Sequence, residues 1–405
     1  MLNPYFIYAV TFIASLVIYQ LGWSTMFPDL KPNLIIFLSL SILFALLLGI
    51  YFQSKRYVSF QKIAWNRRIP ITVVIITLLW ILEFAYNRGV PLLMILRGAD
   101  YDYIQFGIPT LHVFVVTFTS FFSIYLFHLA ISQRDKRALF YYLVCMSFSI
   151  LLVNRGMLLI NVVSSLIVYL QSIRRLSIAK ISSTGFVLLV VLYIFGYLGN
   201  VRSSHHRAGE SADSYILDLV KATDSFRHGL IPTEYIWTYI YLSSPVGNLQ
   251  YTLESGTPQE YSIKNTLVFI NNEFVFDFIS KRVNSILQAQ RNVPLQFIKS
   301  INVATVYANP YLSAGWPGMI LMAIMILLFP VLYLGLLRKK QVFYVTATSI
   351  LGSLYLFLVF DNMFTFTGLS FQLIYPLVFG RFFASTERRE EELPGYADTN
   401  QQLTV

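Results

Sequence analysis

About ten apolar stretches cross the chain, and this pattern constrains the fold more than any other feature. A helix needs about 20 mostly apolar residues to cross the hydrocarbon core of a bilayer. The candidate spans are residues 4–23, 33–52, 70–87, 109–131, 138–153, 157–172, 183–199, 314–337, 341–360 and 365–384. Hydrophobic residues make up 56% of the chain and charged residues only 12%, unlike an ordinary soluble domain. The sequence therefore predicts an all-α, polytopic membrane protein.

The distribution of Lys and Arg predicts the orientation of these spans. If the N-terminus is cytoplasmic, the inner segments carry 17 Lys and Arg, and the short outer loops carry four. Positive residues concentrate on the cytoplasmic side of membrane proteins, so both termini are predicted to be cytoplasmic. The net charge of +10 follows mainly from this bias, and nucleic acid is not expected as a partner.

This orientation divides the chain into four parts. Spans one to seven occupy residues 1–199, a large outer loop 200–310, and spans eight to ten 311–384. Residues 385–405 form a polar cytoplasmic tail that is predicted to be disordered. The loop contains aromatic clusters rather than Ser and Gly repeats, so we expect short helices packed over the membrane.

The charges of the long loop are sorted along its length. Residues 200–209 and 278–310 contain Lys and Arg but no acid, whereas residues 210–277 hold nine acids. Both cationic ends would lie at the outer membrane surface, where loops usually avoid Lys and Arg. An anionic ligand at the outer leaflet would explain them.

The sharpest candidate cluster directly follows the seventh span, as Arg202-Ser-Ser-His205-His206-Arg207. Two guanidinium groups can bind phosphate oxygens, and a histidine can accept a proton from a sugar hydroxyl. The alternative is that these side chains extend to lipid headgroups.

Two further ionisable residues are candidates within the spans. Arg155 lies at the tip of a predicted tight helical hairpin formed by the fifth and sixth spans, where a charge is costly unless it has a polar partner. It could equally be an interfacial turn residue beside Gly156. Glu83, near the outer end of the third span, could act as a general base or form an ion pair with Arg88 or Arg97.

The signals for a metal or cofactor are weak. Asp100-Tyr-Asp102 could hold Mg²⁺ against a diphosphate, but a three-residue pattern recurs by chance, and nearby cations could neutralise phosphate without metal. The single Cys145 lies inside a span and provides no disulfide framework. We therefore predict no metal and no cofactor.

Asp361, just beyond the ninth span, is another candidate base.

The chain resembles the Wzy-type O-antigen polymerases, which are oligosaccharide repeat-unit polymerases of bacterial envelopes. The resembling segments are Gly89-Val-Pro-Leu-Leu, Asp102-Tyr-Ile-Gln-Phe-Gly-Ile-Pro-Thr-Leu-His112, Asn154-Arg155-Gly156, Leu198-Gly199-Asn200-Val201-Arg202-Ser203, Trp237-Thr-Tyr-Ile-Tyr-Leu-Ser-Ser-Pro245-Val-Gly-Asn248-Leu, Asn302-Val-Ala-Thr305 and Gly315-Trp-Pro-Gly318. The resemblance covers most of the membrane region, from about residue 80 to 380, and each motif is short. The R-x10-G pattern of some of these polymerases is absent from both outer loops.

The resemblance implies a GT-C-like helical fold and metal-independent glycosyl transfer on the periplasmic face of the bacterial inner membrane. It implies undecaprenyl-diphosphate-linked oligosaccharides as substrates, membrane lipids as surroundings, and a chain-length regulator and a flippase as pathway partners. It also implies that Arg155 and Arg202 occupy positions where the family places arginine. The predicted catalytic residues are Arg155, Arg202, His205, His206, Arg207 and Glu83, and the predicted substrate-binding residues are Arg88, Arg97, Arg282, Arg291, Tyr239 and Asn248.

Two other functions remain open from the sequence. An O-antigen ligase would use the same donor but would transfer the polymer to the lipid A core. A lipid-linked oligosaccharide flippase or other transporter would have charges spread through its spans and short outer loops, whereas this chain has few charged residues within its spans and one large loop.

Overall fold

The computed structural model describes residues 2–98, 101, 106–173, 178–204, 212–298 and 301–380. Within these ranges the chain is helical or irregular, apart from one isolated β-bridge between Ser24 and Ala222. The first eight helices are α1 (Pro4–Tyr19), α2 (Pro32–Ser54), α3 (Arg68–Tyr86), α4 (Pro91–Leu96), α5 (Leu111–Gln133), α6 (Lys136–Leu151), α7 (Arg155–Ser172) and α8 (Ile178–Ser204). The others are α9 (Ala212–Leu219), α10 (Asp224–Arg227), α11 (Tyr235–Ser255), α12 (Ile263–Phe274), α13 (Asp277–Leu287), α14 (Ala308–Leu336), α15 (Tyr344–Phe357), α16 (Thr367–Ser370) and α17 (Ile374–Phe379).

Among the residues that the structure describes, five helices are long and apolar enough to cross a membrane, namely α2, α3, α5, α7 and α14. Shorter apolar helices are found at 4–19, 344–357 and 367–379. The structure is therefore that of a polytopic, all-helical membrane protein. The last predicted span corresponds to α16 and α17, which a 3₁₀ turn at Phe371–Leu373 joins into one apolar helical stretch.

The predicted hairpin is present in the structure. Helix α6 ends at Leu151 and α7 begins at Arg155, and the two helices pack together. The Asn154 side chain accepts a hydrogen bond from the Met157 backbone N–H at 2.9 Å, which caps α7. Arg155 is thereby fixed at the first helical position of α7.

The bundle has two distinct ends. The end on which the helices of the long loop pack is called the loop end here. It includes the Ser24–Ala222 bridge after α1, and the Arg282 side chain of α13 donates to the Thr110 hydroxyl before α5 at 2.8 Å. The opposite end, with the α2–α3 and α5–α6 connections, is called the tail end.

Helix α11 anchors the long loop to the bundle. It extends from Tyr235 to Ser255, longer than the short helices predicted for the loop, and packs mainly against α1 and α8. Its Trp237 ring lies over Gly199 of α8, where an added Cβ would be 2.7 Å from the ring. The glycine therefore permits the close packing of the two helices.

The chain between the loop and α14 enters the bundle. The Tyr307 hydroxyl is 2.6 Å from the Tyr8 hydroxyl of α1 and 3.0 Å from the Ser41 hydroxyl of α2. The irregular residues before Tyr307 pair with the segment after α15, since the Ala304 and Val306 N–H groups donate to the carbonyls of residues 360 and 358. This pairing satisfies non-helical backbone inside the protein, as burial in a membrane requires.

Helix α14 begins at Ala308, earlier than the predicted span at 314–337, and is kinked at Ala314 and Gly315. Gly315 has φ +62°, a conformation that glycine adopts readily. Pro317 cannot donate a backbone hydrogen bond, so it fits the start of the second segment.

Candidate functional site

A buried carboxylate and a histidine form a pair at the loop end. Glu83 of α3 is 0% exposed, and its Oε2 is 3.0 Å from His112 Nδ1 and accepts from the Ile108 backbone N–H at 3.1 Å. The His112 side chain is 22% exposed. Glu83 therefore faces a histidine, rather than the alternative partners Arg88 and Arg97, whose side chains are exposed.

A tight turn before α5 holds this pair. The Gly107 N–H donates to Asn87 Oδ1 at 3.2 Å, and the Asn87 amide donates to the Glu83 carbonyl at 2.8 Å. Gly107 has φ +101°, and a Cβ there would collide with the His112 ring. Only glycine combines this backbone conformation with so close an approach.

The geometry of the pair suits proton transfer. With Nδ1 of His112 bonded to the Glu83 carboxylate, Nε2 is the nitrogen that can accept a proton. The rings of Trp80 and Phe106 contact the imidazole edge-on, with centroid distances of 6.1 and 5.7 Å. The carboxylate and the rings together orient the imidazole, and an imidazole held in this way can accept a proton.

Two exposed arginines belong to the same end of the bundle. Arg282 binds the hydroxyl of Thr110, two residues before His112, and its guanidinium lies 6.0 Å from the centre of the Phe278 ring. Arg155 is also exposed, at the N-terminus of α7. The Tyr101 hydroxyl donates to the Leu152 carbonyl at 3.2 Å, and so connects the loop before α5 to the α6–α7 turn.

The position of Arg155 favours an anion. Helix N-termini carry a partial positive charge and unpaired N–H groups, so a cation there is unfavourable unless an anion compensates it. No hydrogen bond or ion pair joins the Arg155 guanidinium to the part of the chain that the structure describes. The side chain is available to a phosphate or carboxylate ligand.

A second polar cluster attaches the long loop to the residues after α15. Arg291 contacts Asp277 at 3.2 Å and Asp361 at 3.9 Å. The Asn362 amide donates to Glu273 Oε2 at 2.9 Å and to the Glu273 carbonyl at 3.0 Å. Arg291, predicted to bind substrate, and Asp361, predicted as a candidate base, lie together in this ion-pair network.

Burial perturbs the acids of this cluster. Glu273 is 1% exposed, and desolvation raises its pKa to about 7, although the nearby Arg291 opposes the shift. Burial also raises the pKa of Asp277, against the charges of Arg291 and Lys281. Such perturbed acids mark either functional sites or structural ion-pair networks. The short distances to Arg291 and Asn362 give this cluster a role in holding α12 and α13.

Other predicted residues lie elsewhere in the loop. Tyr239 is 1% exposed and packs against the rings of Trp23 and Phe27. Asn248 is 0% exposed, and its amide donates to two backbone carbonyls, of Ile301 and Val303, at 2.9 and 2.8 Å. Both residues hold α11 in place, and their binding of substrate stays a prediction. Arg88 and Arg97 are exposed beside α3 and α4.

Several candidates lie beyond what the structure describes. Arg202 is in the last turn of α8, with its side chain not described, and His205, His206 and Arg207 fall in the gap that follows. Asp100 and Asp102 also lie outside the described residues. Among the residues that are described, no group of three or more His, Cys, Asp or Glu side chains could hold a metal ion.

Sequence reasoning missed His112 and Glu273. His112 ended one of the resembling segments, but its partner Glu83 is 29 residues away, and only the folding of the turn at Gly107 joins them. Glu273 had a signal of its own, because it is the one acid in the apolar run Leu267-Val-Phe-Ile-Asn-Asn-Glu-Phe-Val-Phe276. A carboxylate in such a run is expected to be buried and paired.

Comparison with known proteins gave no match. No family model fits the chain, and neither a curated protein nor a solved structure is similar to it at a significant level.

Proposed function

We propose that this chain is a membrane glycosyltransferase that polymerises oligosaccharide repeat units carried on undecaprenyl diphosphate. We propose further that the chain crosses a bacterial inner membrane ten times. Both termini would then lie in the cytoplasm, and the loop end would face the periplasm. The observation that carries it is the Glu83–His112 pair beside Arg282 at the loop end. The resemblance of short segments to the Wzy-type polymerases, one of which ends at His112, also supports it.

Glycosyl transfer needs one group that accepts a proton and cations that stabilise the leaving diphosphate. An acceptor hydroxyl on one lipid-linked repeat attacks the anomeric carbon of the donor glycan. The bond between that carbon and the phosphate oxygen breaks, and the lipid diphosphate leaves. His112 Nε2 takes the hydroxyl proton, and Glu83 stabilises the resulting imidazolium.

Arginine side chains can provide the cations that stabilise the leaving diphosphate. Arg155 and Arg282 would neutralise the charge that develops on the diphosphate, together with Arg202 and Arg207. Arg291 is less available for this role, because Asp277 and Asp361 already neutralise it. His205 and His206 stay alternative proton acceptors.

The test replaces the residues of the pair and the two exposed arginines one at a time. His112→Ala, Glu83→Gln, Arg155→Ala and Arg282→Ala are expected to lose polymer while keeping the single-repeat glycan, and His112→Ala should lower the turnover rate roughly 10²–10⁴-fold. His228→Ala is the control, because His228 is an exposed histidine of the long loop whose Nδ1 bonds only to the Asp224 carbonyl of its own helical turn.

The products also separate the competing functions. A ligase would leave finished polymer on the lipid carrier when it is inactivated, and a flippase would leave single repeats on the cytoplasmic side. Normal polymer length in the His112 and Arg155 variants would contradict the proposed site.

A further inference from the structure

Helices α7 and α15 share a polar contact inside the bundle. The Ser164 hydroxyl of α7 is 2.7 Å from the Ser353 hydroxyl of α15. Polar residues recur at helical spacing along both helices, and we call this set the polar seam. Its members are Asn161, Ser164, Ser165 and Gln171 of α7 and Thr346, Ser349 and Ser353 of α15.

Several polar atoms of the seam have no partner among the described residues. They are Asn161 Nδ2, Thr346 Oγ1, Ser349 Oγ and both amide atoms of Gln171. Asn161, Thr346 and Ser349 are each 0% exposed. An unpaired polar group buried in a membrane protein is costly, so these atoms require a ligand that the described residues do not supply.

Close helix packing does not account for these residues. Serine and threonine are small, and small residues let membrane helices approach each other. Asn161 and Gln171 are not small, and their unpaired amide atoms gain nothing from close packing. The polar character of the seam needs its own explanation.

At its inner end the seam joins two other elements. The Gln372 amide donates to the Ser120 hydroxyl of α5 at 3.0 Å, and that hydroxyl in turn bonds to Asn161 Oδ1. Gln372 Oε1 is unpaired, as is Asn161 Nδ2. This chain of hydrogen bonds therefore ends in one free acceptor and one free donor.

Water is the ligand that fits. A water molecule both donates and accepts, and a buried water typically bonds to two to four polar groups. The seam contains no ionised side chain, so it has no charge with which to bind an ion strongly. The unpaired atoms include both amide donors and hydroxyl or carbonyl acceptors, which a mixed hydrogen-bonding ligand can satisfy together.

We propose that the polar seam binds a file of ordered water molecules that extends from the tail end to the centre of the bundle. Gln171 lies one residue before the end of α7, and Asn161 is ten residues closer to the loop end. At 1.5 Å per helical residue the file spans about 15 Å, roughly half the hydrocarbon core.

The test is water-edited solid-state NMR on the full-length, isotope-labelled protein in lipid bilayers. Magnetisation from water is expected to reach the Asn161 amide and the side chains of Thr346 and Ser349 several-fold faster than the Ala347 methyl group. Ala347 is the internal control, because it is equally buried on the same helix but apolar. Equally slow transfer to all four residues would overturn the proposal.

A double variant tests whether the water molecules lie in the polar seam. Thr346→Val combined with Ser349→Ala removes two hydroxyls with little change in volume, and transfer to Asn161 should fall to the Ala347 level. Thr348→Val is the matched control, since the Thr348 hydroxyl donates to the Val345 carbonyl at 2.9 Å and lies outside the seam. Unchanged transfer to Asn161 in the double variant would also overturn the proposal.

Discussion

At the scale of single residues, the Glu83–His112 pair depends on a glycine. Gly107 has a backbone conformation that L side chains rarely adopt, and its Cα hydrogens face the His112 ring. A catalytic side chain that is displaced by about 1 Å can lose roughly 10²-fold in rate. The identity of residue 107 therefore controls a side chain five positions later in the sequence.

Gly107→Ala is expected to lower glycan transfer at least tenfold and to destabilise the protein by about 1–3 kcal/mol, because strain and the collision with His112 act together. Gly98→Ala is the control, since Gly98 also has a positive φ, +73°, but has open space around it. Transfer assays and thermal unfolding on both variants separate strain from displacement. Equal loss of transfer in both variants would contradict a specific role of the contact with His112.

At the scale of elements, α12 and α13 are held to the bundle by a cluster whose charge depends on pH. An unperturbed glutamic acid side chain has a pKa of 4.5, and burial raises the pKa of Glu273 to about 7. The folded state therefore binds the proton more tightly than the unfolded state does. The contribution of Glu273 to stability is fully present below about pH 4.5 and is lost as the pH rises to about 7.

We expect Glu273→Gln to have nearly the same stability as the unmodified protein at pH 4.5, and to be the more stable of the two at pH 8. The difference at pH 8 is on the order of 3 kcal/mol, since one pKa unit corresponds to about 1.4 kcal/mol. Thermal unfolding in detergent over this pH range measures it. A constant difference from pH 4.5 to pH 8 would show that Glu273 is not the titrating group.

At the scale of the whole molecule, the predicted orientation can be tested from the two ends of the bundle. Two exposed serines mark the two ends. Ser255, the last residue of α11, lies at the loop end, and Ser54, the last residue of α2, lies at the tail end. With Cys145 replaced by Ala, Ser255→Cys should react with a membrane-impermeant maleimide in intact cells with a permeabilised outer membrane. Ser54→Cys should react only after the inner membrane is opened. The reverse pattern would contradict the orientation.

The sequence was sufficient to locate helices whose apolar length is their main feature. Residues 70–87 and 157–172 were predicted as spans, and the structure has α3 at Arg68–Tyr86 and α7 at Arg155–Ser172. Apolar length did not reveal the irregular segment before Tyr307. Such segments are stable only because neighbouring elements pair their backbone groups, and this information is distributed over distant residues.

The candidate site was predictable only in part, for the same reason. The exposed Arg155 at the hairpin was identified from its cost in a membrane, which is a local property. The pairing of Glu83 with His112, and of Glu273 with Asn362, depends on contacts between residues 29 and 89 positions apart. A single sequence does not encode such contacts in any local pattern.

The depth of Tyr307 determines how the long loop behaves as a piece of protein. Its hydroxyl is bonded to α1 and α2 inside the bundle, so the chain that leaves the loop is secured there. If residues 205–310 were excised and expressed in water, Tyr307 and the buried side of α11 would lose their partners, and the fragment would aggregate. Antibodies raised against such a fragment would recognise unfolded chain, and inhibitors of this surface should be selected against the intact protein in a bilayer.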